Sequence, residues 1–302
     1  MSIFEELSEA TRDVAAKAGA GVARVGRDGG RGSAAVIADG LLLTSAHNLR
    51  GAEVTITFGD GRSVVGSVKG VDTDDDIAVV AADTAGIAPI EWSPEAAGGI
   101  GVGSAVFALG TSAGGSRVTF GTVSAIGVAF RGPRGRLISD GFEHTAPVGR
   151  GSSGGPVVDF QGRLVGVNTH RPGDGFYLAI PADEALKSKV EALGRGEAPS
   201  RRKLGVSLTP PHVARRMRAA VGLPAQEGVL IREVASDGPA AAAGLQRGDL
   251  IVAAGGAEIT SFDALLEALD TATGESLALT VLRGAERLDL EVRFEPEPEP
   301  ES

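Results

Sequence analysis

Between residues 20 and 180 the chain never holds a helical period, because short apolar runs are cut every few positions by Gly, Asp, Asn, Ser or Pro. Val54, Ile56 and Phe58 alternate with Thr55 and Thr57, the pattern of a strand with one face buried. Gly59-Asp60-Gly61 follows as a hairpin signal, and Val64, Val65 and Val68 resume the pattern. Further short strands are expected at 33–37, 41–45, 77–82, 105–109, 118–126, 155–158, 164–168 and 175–180. Short strands without long helical patterns between them predict a mainly β barrel or sandwich. The 45 glycines, set against 10 Phe, one Trp and one Tyr, suit such tight turns.

After Pro181 the period changes. Residues 182–193 read as a helix with Leu186, Val190 and Leu193 on one stripe, closing a domain that spans 20–193. Residues 194–203 have linker composition, rich in Gly, Pro, Ser and charge without apolar anchors. Residues 204–294 form a smaller α+β unit. Its clearer helix is 261–271, where Phe262, Leu265, Leu266 and Leu269 fall on one face. An N-terminal segment, 1–19, and a Glu/Pro tail, 295–302, flank these units, and the tail is expected to be solvated and extended.

The bulk properties remove several classes of function. A net charge of −10 argues against a nucleic-acid partner. With no cysteine there are no disulfides, thiol nucleophiles or Cys-based zinc sites. No His/Asp/Glu cluster has ligand spacing, so neither metal nor cofactor is expected. No run is long enough to span a bilayer and none has the pattern of a signal peptide. As written the chain is therefore expected in the cytoplasm, and outside it if a leader has been removed.

The chemistry concentrates in three places. Gly151-Ser152-Ser153-Gly154-Gly155-Pro156 can raise a serine on a sharp turn, with amide N–H groups free for a developing oxyanion. His47 lies just beyond an apolar strand, where it can reach a serine from another segment. Asp76 heads Ile77-Ala78-Val79-Val80, and a carboxylate there needs a hydrogen-bonded partner that a histidine N–H supplies. Asp72, Asp74 and Asp75 are expected to stay solvated, and His144, His170 and His212 have no comparable setting. Each site alone fits a blander reading, but the order His…Asp…Ser is one of the few in which such triads occur.

Together with Gly110-Thr111-Ser112 and Gly121-Thr122-Val123-Ser124, these motifs resemble those of the HtrA (Deg) family of serine proteases, over roughly residues 20–294. The resemblance implies a trypsin-like double six-stranded β-barrel with His47, Asp76 and Ser153 between the barrels. It also implies an oxyanion hole made by the backbone N–H groups of Gly151 and Ser153. The chain departs from the family at Ser152, which replaces an asparagine, at Gly149-Arg150, which replaces Asn-Pro, and at Thr145, which replaces aspartate. These changes bear on the shape of the oxyanion loop. Pro147 and Val148 fall at the primary pocket, and neither offers a counter-charge to Lys or Arg. A small or medium aliphatic residue before the scissile bond is expected.

Residues 236–245, with Gly248-Asp249-Leu250-Ile251, resemble the signature of bacterial PDZ domains, and Leu204-Gly205-Val206 resembles their carboxylate-binding loop. The N–H groups around Gly205 would hold a peptide C-terminus, with the following strand open to β-augmentation. Leu265, Leu266 and Leu269 would form the other wall, although the same leucines also suit a core. The expected activity is ATP-independent endopeptidase cleavage of unfolded or exposed polypeptide segments, a quality-control role. The resemblance adds a homotrimer built through the N-terminal segment, for which Phe4 and Leu7 are candidates. The other class of reading is a binding module with a catalytically silent barrel.

Overall fold

The computed structural model describes residues 2–26, 32–112, 115–132, 136–169, 175–197 and 202–294. The chain divides into two compact units, Met1–Pro199 and Ser200–Ser302. The tail expected at 295–302, His170 and most of the segment between Val25 and Ser33 lie outside the described residues.

The first unit opens with helix α1 (Ile3–Ala18), which the sequence reading left unassigned. Ser2 and Glu5 form a reciprocal capping box at its start. Val14 and Ala18 are buried at its far end, Leu7 is half-buried, and Phe4 is 77% exposed.

Strands β1 (Val22–Val25), β2 (Gly32–Ala38), β3 (Leu41–Thr44), β4 (Glu53–Phe58), β5 (Ser63–Asp72) and β6 (Ile77–Ala81) close into a barrel in the order β1-β2-β3-β6-β5-β4. After the short helix α2 (Pro94–Gly98) come β7 (Ala105–Ser112), β8 (Gly115–Arg131), β9 (Leu137–His144), β10 (Pro156–Val158), β11 (Leu164–Asn168) and β12 (Tyr177–Pro181). They close into a second barrel in the order β10-β11-β12-β9-β8-β7. Helix α3 (Glu184–Gly194) follows, its first turn held by the Asp183 side chain, which accepts from the Leu186 N–H at 2.9 Å.

The pairing of β3 with β6 positions the chemistry. Leu42 and Val80 point into the first barrel's core, while Leu43, Ile77 and Val79 join the larger cluster that includes Phe107, Leu164 and Leu186. Both faces are thus buried, which is why these strands read as unbroken apolar runs. Each fully buried Leu or Ile contributes about 1.5–3 kcal/mol. Thr44 pairs with Ala78. His47, just past the end of β3, therefore comes beside Asp76, just before β6.

Two strands of this unit, β1 and β9, fall outside those expected from the sequence. β9 contains Asp140-Gly141, which looks like a turn. Asp140 does adopt a positive φ of 60°, but inside a bulged ladder with β8 rather than at a chain reversal. Asp72 also corrects the expectation of a solvated side chain. It is 2% exposed, accepts from the N–H groups of Asp74 and Asp75, and lies 3.2 Å from Lys189 Nζ on α3. Lys189 also pairs with Asp75, and Arg136 lies 3.8 Å from Asp74.

The second unit consists of β13 (Val206–Thr209), α4 (Pro211–Ala220), β14 (Val229–Val234), α5 (Pro239–Ala242), β15 (Asp249–Ala254), β16 (Ala257–Glu258), α6 (Phe262–Thr271), β17 (Ser276–Arg283) and β18 (Glu286–Arg293). Its sheet runs β13-β14-β15-β17-β18, with β16 paired to β15, so β13 is an edge strand. Asp249, fully buried, is held by both arms of Arg283 at 2.8 and 2.9 Å. Arg202, placed in the linker by composition, instead donates to the carbonyls of Ala272 and Gly274 just beyond α6 and lies 5.4 Å over the Phe294 ring. It anchors the second unit.

Candidate active site

His47 sits in a 3-10 turn, Ala46–Asn48, with its side chain 37% exposed. Its Nδ1 lies 2.9 and 2.8 Å from the two carboxylate oxygens of Asp76, and its backbone N–H donates to Asp76 Oδ1 at 3.1 Å. Asp76 is fully buried and holds a positive φ of 58°, a left-handed conformation that aspartate tolerates better than most residues. The Asp76 carbonyl accepts from Ala46 N–H at 3.1 Å, so the strained residue is fixed from both its backbone and its side chain. The carboxylate keeps Nδ1 protonated, which leaves Nε2 with a free lone pair.

A residue that the sequence reading passed over completes the cluster. Thr169, directly after β11, donates its hydroxyl to Asp76 Oδ2 at 3.0 Å, and its carbonyl accepts from Ser153 Oγ at 3.0 Å. Ser153 and Asp76 thus meet on one residue. The signal was a polar pair, Asn168-Thr169, ending an apolar run. In this resting geometry no hydrogen bond joins Ser153 to His47 among the described residues, and the serine proton points to a carbonyl instead.

The turn that carries Ser153 has Gly151 at φ 85° and Gly154 at φ 81°. A Cβ at Gly154 would lie 2.4 Å from the Ser33 carbonyl, so only glycine fits there. Gly151 N–H and Ser153 N–H have no acceptor among the described residues, and they can receive an oxyanion. Pro147 is exposed and Val148 half-buried on the stem leading to this turn. Thr145, at the altered family position, staples the stem to β8. Its hydroxyl accepts from Thr122 N–H at 3.0 Å, and its own N–H donates to the Thr122 carbonyl at 2.9 Å.

His144 was passed over as well, and nothing in its local sequence marks it. It is fully buried at the end of β9, its ring 5.7 Å from that of Tyr177 and stacked on it at 27°. Asn168 Nδ2 donates to the Gly155 carbonyl at 3.2 Å, so its Oδ1 accepts from His144 Nε2–H at 2.9 Å. Nδ1 then keeps a lone pair without a partner among the described residues. Burial pushes the His144 pKa down. The ring is held neutral beneath the serine turn.

In the second unit Gly205 has a positive φ of 74°, and the N–H groups of Leu204 and Gly205 have no acceptor among the described residues. Their carbonyls are occupied, Leu204 by Ala240 N–H at 3.0 Å and Gly205 by Ala235 N–H at 2.8 Å. Val206 begins the edge strand β13. Leu204, Leu265 and Leu269 are 3%, 1% and 5% exposed within the core. Of the three candidate leucines on α6, only Leu266 remains partly accessible.

A model of the trypsin-like peptidase domain matches residues 32–167, and a PDZ domain model matches residues 230–283. The chain is 33% identical over 290 residues to a serine protease named HhoB from Synechocystis sp., a match covering 90% of this chain and 68% of that protein. It is 31% identical over 262 residues to a DegP-like periplasmic serine endoprotease of Halomonas elongata, covering 84% of this chain and 54% of that longer protein. Among solved structures, the HtrA-type protease AlgW with a decapeptide is similar at a TM-score of 0.73, covering 95% of this chain and 99% of that one. At 24% identity this likeness speaks for the fold. A serine endoprotease from Yersinia pestis is similar at a TM-score of 0.70 and 25% identity, covering 94% and 96% of the two chains.

Proposed function

Because this chain belongs to the HtrA (Deg) family of trypsin-like serine proteases with a PDZ domain, we propose that Ser153 is its nucleophile, His47 the general base and Asp76 the residue that orients the histidine. The observation that carries this reading is Thr169, which receives the Ser153 hydroxyl on its carbonyl and gives its own hydroxyl to the carboxylate that holds His47. Substrate arrival swings Ser153 Oγ from Thr169 to His47 Nε2. The imidazole takes its proton as Oγ attacks the carbonyl carbon, and Asp76 stabilises the imidazolium. Gly151 and Ser153 N–H groups receive the oxyanion, and His47 then returns the proton to the leaving amine. Water repeats the cycle on the acyl-enzyme. No step consumes ATP.

Pro147 and Val148 favour a small or medium aliphatic residue before the cut, with discrimination of about 1–3 kcal/mol per methylene. The free amides of Leu204 and Gly205 and the open edge of β13 suit a peptide C-terminus, with Leu266 as the accessible side-chain contact. Unfolded polypeptides carry both elements, an exposed aliphatic segment and a free end. Tethering the two sites raises the effective substrate concentration at the cleft. Assembly as a homotrimer through α1 would cover Phe4. Among the described residues no helix is long and apolar enough to cross a membrane. The periplasmic setting stated for the Halomonas elongata relative favours the extracytoplasmic alternative over the cytoplasmic one.

A fluorophosphonate probe tests the reading. Labelling of wild type on Ser153, abolished in Ser153→Ala, supports it. A wild type that takes no label, with or without a C-terminal peptide ligand, would return the chain to the binding-module reading.

A further inference from the structure

Directly after His47, Asn48 is 1% exposed, yet it carries an amide. Its Nδ2 lies 3.0 Å from the Ser153 carbonyl and 3.1 Å from Thr44 Oγ1. The partners fix which end of the amide points there. The carbonyl can only accept, and the Thr44 hydroxyl already donates its proton to the Ser33 carbonyl at 2.7 Å, so both need a donor. Oδ1 is left buried with no partner among the described residues, a desolvation cost that an apolar side chain would avoid. Gly32 makes room for the arrangement, since a Cβ there would lie 2.1–2.3 Å from the Asn48 side chain.

Every peptide plane around the serine is pinned. In the Ser153–Gly154 peptide, the carbonyl accepts from Ser33 N–H at 2.9 Å as well as from Asn48, and the N–H donates to the Asn168 carbonyl at 2.7 Å. In the Gly151–Ser152 peptide, the carbonyl accepts from Ser33 Oγ at 2.8 Å and the N–H donates to the Gly149 carbonyl at 3.3 Å. In the peptide between them the Ser152 carbonyl accepts from Gly155 N–H at 2.9 Å, leaving Ser153 N–H free.

We propose that Asn48 is a positioning residue for Ser153: from the first barrel it holds the nucleophile's own carbonyl to the turn that carries His47. A tie from the residue next to the base to the backbone of the nucleophile fixes the distance between the two halves of the reaction. It also supplies an amide to a loop that has Ser152 where the family usually has asparagine. The inference rests on Ser153 being the nucleophile.

The test uses the full-length protein, a peptide substrate with valine before the scissile bond, and the rate of fluorophosphonate labelling. Asn48→Leu keeps the branched shape with a somewhat larger volume, removes the donor and relieves the orphaned Oδ1. It should melt no lower than wild type, yet lose about tenfold to a hundredfold in kcat and labelling rate with KM unchanged, the scale set by small misplacements of reacting groups. Gly32→Ala leaves the amide intact but pushes it aside, and should reproduce the kcat loss; added to Asn48→Leu it should cause little further loss. An unchanged kcat in folded Asn48→Leu would overturn the proposal, as would a kcat loss matched by a drop in melting temperature. Should Gly32→Ala not fold, Asn48→Leu decides alone. Variants that label normally would sink this inference and leave the protease reading intact, whereas a wild type that never labels would sink both.

Discussion

The two barrels contribute unequal halves of the active site. The first delivers a base already oriented: His47 meets the Asp76 carboxylate through its ring and its backbone N–H, and Thr169, reaching over from the second barrel, satisfies a further carboxylate site. The second delivers a serine whose hydroxyl rests on the Thr169 carbonyl rather than on the imidazole. A strained, buried aspartate at φ 58° is tolerable only where its surroundings over-determine it, and there they do. The serine half keeps one rotation in hand. On the proposed mechanism, base orientation is built into the fold and the substrate completes the alignment of the nucleophile.

That contrast can be broken at several strengths. Asp76→Asn leaves the volume but reverses the polarity toward His47 Nδ1, and kcat should fall by about 10⁴, the scale of such changes in triads generally, as read by steady-state kinetics on a peptide substrate. Thr169→Val removes one hydrogen bond to a buried carboxylate while keeping the carbonyl that holds Ser153. At about 1.5 kcal/mol for a hydrogen bond to a charged group, kcat should drop roughly tenfold with KM little altered. Thr145→Val removes the hydroxyl that accepts from Thr122 N–H while keeping the backbone bond between the two residues, and urea unfolding should show a loss of about 1 kcal/mol.

The smallest effect depends on pH. His144 has a lowered pKa in the folded state because burial penalises its charged form. Above about pH 6.5, the unperturbed value, both folded and unfolded states carry the ring neutral, and stability is unaffected. As pH falls through that value the unfolded chain takes up a proton that the folded chain resists, so stability declines until the lower folded pKa is reached. His144→Gln should flatten this decline in melting temperature measured across mildly acidic buffers. An equal slope in the variant would assign the acid sensitivity to other groups.

Much of the fold was legible in residue order. The paired strands β4 and β5 announced themselves by alternation around Gly59-Asp60-Gly61, and α6 by its apolar stripe. β9 did not, because a positive-φ bulge at Asp140 uses the same residues as a turn. Asp72 misled because burial of a charge depends on a partner, Lys189, that arrives from a helix far along the chain. The site splits in the same way. His47, Asp76 and Ser153 carry side chains whose chemistry advertises itself, whereas Thr169, His144 and Asn48 act through bonds to backbone or to one another and look ordinary in sequence. Linear patterns reveal reacting groups better than the groups that hold them.

A peptidyl chloromethyl ketone ending in valine tests most directly whether residues from the two barrels converge, because its alkylation of a histidine depends on a serine adding to the adjacent ketone. Peptide mapping by mass spectrometry should find one adduct per chain, on His47, and none in Ser153→Ala. An adduct on His212 or His170, or one on His47 that persists at full rate without the Ser153 hydroxyl, would contradict the account.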